Sequence, residues 1–188
     1  MPGECEAQYT ISPSEDSTIA VEICKTGLMR KRKHLLFFQN FSGELSYSSE
    51  QAEVSRLDVT VDAKSIVCRD QWLKARKQRR ITEYARSRAL AVDRHPEIRF
   101  SSNRIAPKPL RGFIVEGVLN VCGTTRVVKV NLVLSVRTDG RLQLDADSSI
   151  RLTDFGISPP SSYFGLAGTK DEAVIHLLLW ARAVERIA

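Results

Sequence analysis

Residues 111–136 read RGFIVEGVLNVCGTTRVVKVNLVLSV. Val115, Gly117, Leu119 and Val121 alternate with Glu116, Val118, Asn120 and Cys122. After the polar turn Gly123-Thr124-Thr125, the run Val128, Val130, Leu132 and Leu134 alternates again. Side chains of a strand point to opposite faces with period two, so the stretch predicts a β-hairpin with one apolar face. A lone hairpin is marginal in water, so further strands must cover that face.

The same period recurs on both sides of the hairpin. Thr18–Lys25 carries Ile19, Val21 and Ile23 on one face, and a second strand is expected from Phe37 to Tyr47, with Phe41, Gly43, Leu45 and Tyr47 on one side. Leu57, Val59, Val61 and Ala63 alternate in a third, and Ile98 and Phe100 begin another. After the turn signal Asp139-Gly140, Leu142, Leu144, Ala146, Ser148 and Ile150 alternate to the next turn. A final strand, Ala173–Ala181, is apolar on both parities. Residues 1–16 read as a tail, and Arg30–His34 as a short basic turn or helix.

One segment, residues 69–90, breaks the β pattern and is rich in helix formers. Leu73, Ile81, Tyr84 and Ala85 fall on one helical stripe. The stripe is narrow, which places this helix on the surface. About eight strands with one inserted helix predict a single all-β domain over residues 1–188, an antiparallel barrel or sandwich.

Charge is unevenly placed. The chain of 188 residues carries a formal net charge of +6. Arg69, Lys74, Arg76, Lys77, Arg79, Arg80, Arg86 and Arg88 stand against Asp70 and Glu83 alone, so this one segment matches the excess of the whole. A surface that is basic all over, as for nucleic acid, is therefore not expected, and Trp72 and Tyr84 alone make a poor stacking platform. Cys5, Cys24, Cys68 and Cys122 are scattered without a CxxC pair, which argues against a metal site. His34, His95 and His176 show no triad or metal spacing, so neither catalysis nor a cofactor is expected. No apolar run is long enough for a membrane-spanning helix, and no secretory signal is visible. A cytoplasmic location is expected, or a periplasmic one if a leader has been removed.

Several segments, in order, resemble the YceI-like family. They are Tyr9-Thr10-Ile11-Ser12-Pro13, Leu28-Met29, Phe41-Ser42-Gly43, the run from Val59 to Ile66, Arg69-Asp70, His95 to Phe100, Val115 to Thr125, and Asp154-Phe155-Gly156-Ile157. The resemblance spans roughly residues 9–181. It implies an eight-stranded antiparallel lipocalin-like β-barrel that holds an isoprenoid or other long-chain amphiphilic lipid, with a homodimer as a common state. It also implies that Asp154 ties its loop to a barrel end by accepting backbone N–H bonds. The chain departs from the family pattern at Cys122, where a histidine is frequent, at Gly27, where a basic residue is frequent, and at Leu152, beside Arg151. Its Lys74–Arg88 segment is also longer and more basic.

A small barrel is either filled by side chains or holds one small ligand. Gly43, Gly117, Ala146 and Ser148 are small inward residues that leave room. With the resemblance, a ligand cavity is expected, lined by Phe41, Gly43, Leu45, Val59, Val61, Phe100, Val115, Gly117, Leu119, Val130, Leu132, Leu144, Ala146, Ile150, Ile175 and Leu177. A polar head group, or an anionic membrane surface, would meet Arg30, Lys31, Arg32, Lys33 and His34, or the helix from Lys74 to Arg88. The alternatives are a lipid-modifying enzyme on the same barrel and a packed scaffold that binds nothing. In this register Val118, Val127, Val133, Val174, Leu178 and Trp180 point outward, where they are expected to meet a second subunit or the long helix.

Overall fold

The computed structural model describes residues 7–48, 52–160 and 167–184. Its strands are β1 (Ala7–Ile11), β2 (Thr18–Gly27), β3 (Lys33–Phe38), β4 (Phe41–Tyr47), β5 (Arg56–Asp62), β6 (Ile66–Cys68), β7 (Glu97–Pro107), β8 (Phe113–Val121), β9 (Thr124–Val136), β10 (Leu142–Arg151) and β11 (Ala167–Ala183). They form one antiparallel sheet in the order β1-β4-β5-β7-β8-β9-β10-β11-β2-β3-β6, and β1 also pairs with β11.

Those eleven strands make eight staves. β1 and β2 run in succession along the same edge of β11, where Ile11 faces Ala181 and Thr18 faces Leu178. β4 and β3 run in succession along β1 and β2, and β5 and β6 along β4 and β3. The stave holding β1 shows that residues 7–11, expected as part of a tail, are in the sheet. The strand expected over 37–47 is broken at Gln39-Asn40, and Lys33-His34 begins a strand rather than sitting in a turn or helix. Closure through β1 and β11 leaves β6 as the one unpaired edge among the described residues.

The hairpin loop is two residues long, Cys122-Gly123, with φ of 52° and 74°. Positive φ at both positions is the turn that matches the twist of its strands, and glycine accepts it without cost. The Cys122 thiol points back toward the carbonyls of Ala89 and Leu90, at 3.5 and 3.4 Å.

The inserted segment differs from expectation. Only Ala75–Tyr84 is α-helix, here α1, and Ala85–Ala89 continues it as one π-turn. As expected, α1 lies on the surface with no buried residue, and it sits across the barrel end beside β6. Among the described residues β6 has no strand partner on its outer edge, and α1 with its π-turn supplies partners through side chains. Cys68 N–H donates to Thr82 Oγ1 at 2.9 Å, and Arg86 Nε donates to the Ile66 carbonyl at 3.2 Å. Two backbone groups of an exposed edge are thereby satisfied. The stripe looked narrow because Lys77 and Arg80 belong to the same inward face as Ile81 and Tyr84.

Candidate functional site

The bore is filled at one end and hollow at the other. At the end where β1 meets β11, Ile11, Ile105 and Leu142 are buried and close it. Toward α1 the wall surrounds a cavity of about 740 Å³ that is partly open to solvent, a size that suits one small amphiphile. Its wall is almost wholly aliphatic and aromatic: strands β2, β3, β5 and β7 to β11 give the sides, and Trp72, Leu73, Ile81, Tyr84 and Leu90 give the cover.

Of the sixteen residues expected on the cavity wall, eleven are there: Val59, Val61, Phe100, Leu119, Val130, Leu132, Leu144, Ala146, Ile150, Ile175 and Leu177. Phe41, Gly43, Leu45, Val115 and Gly117 are not on it. Leu45 and Val115 are 1% and 0% exposed, packed in the core with Phe41. The two glycines do not leave room, as they were expected to. A Cβ on Gly117 would lie 2.6 Å from Phe100 Cζ and from the Ser101 carbonyl, and one on Gly43 would lie 2.7 Å from the Asp58 carbonyl. In each case a neighbour has moved into the missing side chain's place. The hollow comes instead from Ala146 and Ser148, which do line it.

The basic cluster is split. Among Arg30, Lys31, Arg32, Lys33 and His34, only His34 reaches the cavity. Lys33 pairs with Glu22 on the outer face at 2.5 Å, and the Arg32 guanidinium lies 5.4 Å from the centre of the Trp72 ring. Arg30 and Lys31 are exposed in the β2–β3 turn. The cations that do line the cavity are Lys25, Lys77 and Arg80. Lys25 was legible: it continues Ile19, Val21 and Ile23 with period two, and only its charge kept it off the inward list. Lys77 and Arg80 fall one helical turn before Ile81 and Tyr84.

Behind His34 stands a carboxylate that spacing alone did not single out. Asp70 is 1% exposed. Its Oδ2 lies 2.5 Å from His34 Nδ1, and its Oδ1 accepts the Leu35 N–H at 2.6 Å. Its backbone carbonyl accepts from Leu73 N–H and from Gln78 Nε2, which fixes the start of α1. Trp72 stacks on the imidazole with ring centres 5.8 Å apart and donates Nε1–H to the Lys33 carbonyl. A buried ionised carboxylate is tolerated only when paired and bonded in this way. Nearby, burial pushes the Cys68 thiol up to about 11, so it stays protonated and inert.

Asp154 does not tie down its turn. It is exposed, and Asp171 on β11 does that work, accepting the Thr153 N–H at 2.8 Å and the Thr153 hydroxyl at 2.7 Å. Arg151 Nε adds a third bond at 3.2 Å. The Thr153 hydroxyl, then its N–H, hold the Asp171 carboxyl below the usual carboxylate range. On the outer wall, five of the six residues expected to meet a partner or the helix are half-buried. Trp180 donates Nε1–H to the Asp16 carbonyl and lies under Arg141 and Arg137 at 4.5 and 5.4 Å, and only Val127 of the six is exposed. The helix packs elsewhere.

A closed eight-stave barrel around an apolar cavity, covered at one end by a helix, defines a barrel of lipocalin-like architecture with room for a small molecule. The family model for the YceI-like domain matches residues 9–179, and the chain belongs to that family. Solved structures with the same fold include BcnA of Burkholderia cenocepacia, 17% identical over 87% of this chain and 96% of that one, with a TM-score of 0.69. A polyisoprenoid-binding domain from Saccharophagus degradans is 10% identical over 93% and 98%, with a TM-score of 0.64. A Campylobacter jejuni YceI protein is 15% identical over 80% and 85%, with a TM-score of 0.58. No curated protein matches the chain.

Proposed function

We propose that this protein is a carrier that holds one isoprenoid or other long-chain amphiphilic lipid in its barrel. The observation that carries this reading is the deep, predominantly apolar cavity of about 740 Å³ beneath α1. Burial alone supplies affinity, at roughly 0.8 kcal/mol per CH₂ group taken from water. The closed end leaves no way through, so the chain of the lipid points toward Leu144 and Leu132 and its polar end toward α1. Binding of this kind breaks no bond. The Saccharophagus domain, described as polyisoprenoid-binding, supports the reading.

Loading from a membrane fits the same end of the barrel. Leu28, at the tip of the β2–β3 turn, is 87% exposed, next to Met29 on the cavity wall and to Arg30, Lys31 and Arg32. An apolar tip among cations suits an anionic bilayer, each cation contributing on the order of 1 kcal/mol. The carrier reading is tested by native mass spectrometry of the purified chain, followed by organic extraction. A bound lipid, or one taken up from added polyprenol, is expected; an empty protein that takes up neither polyprenol nor other long-chain amphiphiles would overturn it.

A further inference from the structure

The cavity has one polar corner that a hydrocarbon chain leaves unsatisfied. Lys25 ends the inward run of β2 and lies opposite Thr169 in the pairing with β11. His34 lies opposite Ile23 on β3. Lys25, Thr169 and His34 all line the cavity. Lys25 Nζ is 3.4 Å from His34 Nε2, and His34 Nδ1 is 2.5 Å from Asp70. Thr169 Oγ1 is buried and has no hydrogen-bond partner among the described residues. Such orphans are few in native proteins, and each calls for a partner such as a water or a bound group.

The donor count defines what that group is. Asp70, ionised, can only accept, so His34 Nδ1 carries the hydrogen and Nε2 offers a lone pair to the Lys25 ammonium. Lys25 keeps two N–H donors and Thr169 an O–H. Among the described residues the cavity wall holds Lys25, Lys77, Arg80 and His34 but no carboxylate. This corner presents donors and positive charge to an acceptor of two oxygens.

We propose that the Lys25–Thr169–His34 corner receives the carboxylate of a long-chain acid, with His34 taking up a proton at Nε2 as the acid binds. The proposal rests on the lipid-carrier reading and names its ligand class. The proton follows from geometry: an anionic oxygen at Lys25 would otherwise meet the Nε2 lone pair. The charged groups around the imidazole are Asp70 behind it and Lys25 before it. Further out are Lys33, neutralised by Glu22, Arg32 over Trp72, Arg69 over Phe37, and Lys77 and Arg80 from α1. Among the described residues Asp70 is the one carboxylate in contact with the ring, and it compensates the imidazolium.

Calorimetry of the full chain with oleic acid and with oleyl alcohol at neutral pH tests this directly. The acid is expected to bind about tenfold more tightly or better, as a charge-assisted bond implies. Its heat should differ between buffers of unequal ionisation enthalpy in the sense of proton uptake. Lys25→Met and Thr169→Val should each lower the acid's affinity toward that of the alcohol. Equal binding of the two probes by the native chain overturns the proposal and leaves the carrier reading standing, as does an acid preference that survives both substitutions. Binding of neither probe, nor of polyprenol, overturns both.

Discussion

His34 Nδ1 lies 2.5 Å from the Oδ2 of Asp70, a carboxylate sealed from solvent beneath the first turn of α1. The same carboxylate accepts the Leu35 N–H, and the backbone carbonyl of Asp70 accepts from Gln78 Nε2, so one residue joins β3, the segment after β6 and the helix. Asp70→Ala leaves the imidazole N–H and a backbone N–H without their acceptor. A cost of about 3–5 kcal/mol is expected, the range for breaking a buried pair. Urea denaturation measures it, and a change below about 1 kcal/mol would mean that water replaces the carboxylate.

The location of the hollow is open to a contrast of two substitutions. Gly117→Ala adds one carbon where Phe100 and the Ser101 carbonyl already sit, and should destabilise by about 1–3 kcal/mol. Ala146→Trp adds a whole indole to the cavity wall. It should be tolerated better than its size suggests and should abolish lipid uptake, read by native mass spectrometry. Uptake that survives Ala146→Trp would place the lipid elsewhere.

Thiol chemistry should separate two cysteines. Thiol reagents attack the thiolate, and burial pushes Cys68 up to about 11. At pH 8, Cys68 in the native chain should react on the order of a hundredfold more slowly than an ordinary thiol of pKa about 8.5. Labelling of Cys24 and Cys68 read by peptide mass spectrometry settles the point. Equal rates would show that β6 and α1 open readily.

Acid should loosen the turn after β10. Asp171 has a folded-state value held below the ordinary one of about 3.9, so its contribution is complete above that value and fades as pH falls through the lower folded value. Asp171→Asn should be less stable than the native chain at pH 7 and indistinguishable from it near pH 2. A difference between the two that does not shrink with acid would contradict the assignment.

The sequence by itself determined the barrel and most of its wall, because strand periodicity is local. Val59, Leu119, Leu132, Leu144 and Leu177 are inward for reasons visible within their own strands, and register carries them around the ring. Charge kept Lys25 off that inward set although its parity was right, since a cation in an apolar run reads as outward without its partner in view. What only the tertiary structure decided depends on distances across the ring. Gly117 looked like empty space until Phe100, one strand away, filled it. The basic helix read as surface and is surface, but the edge it lies against was set by β6, whose backbone meets Thr82 and Arg86. Lys25, His34, Asp70 and Thr169 are separated by 9, 36 and 99 residues in sequence and share no spacing rule. They meet because β2 lies between β3 and β11, and because the turn after β6 folds back beneath the helix. Periodicity fixes which way a side chain points; closure of the ring fixes what it finds there.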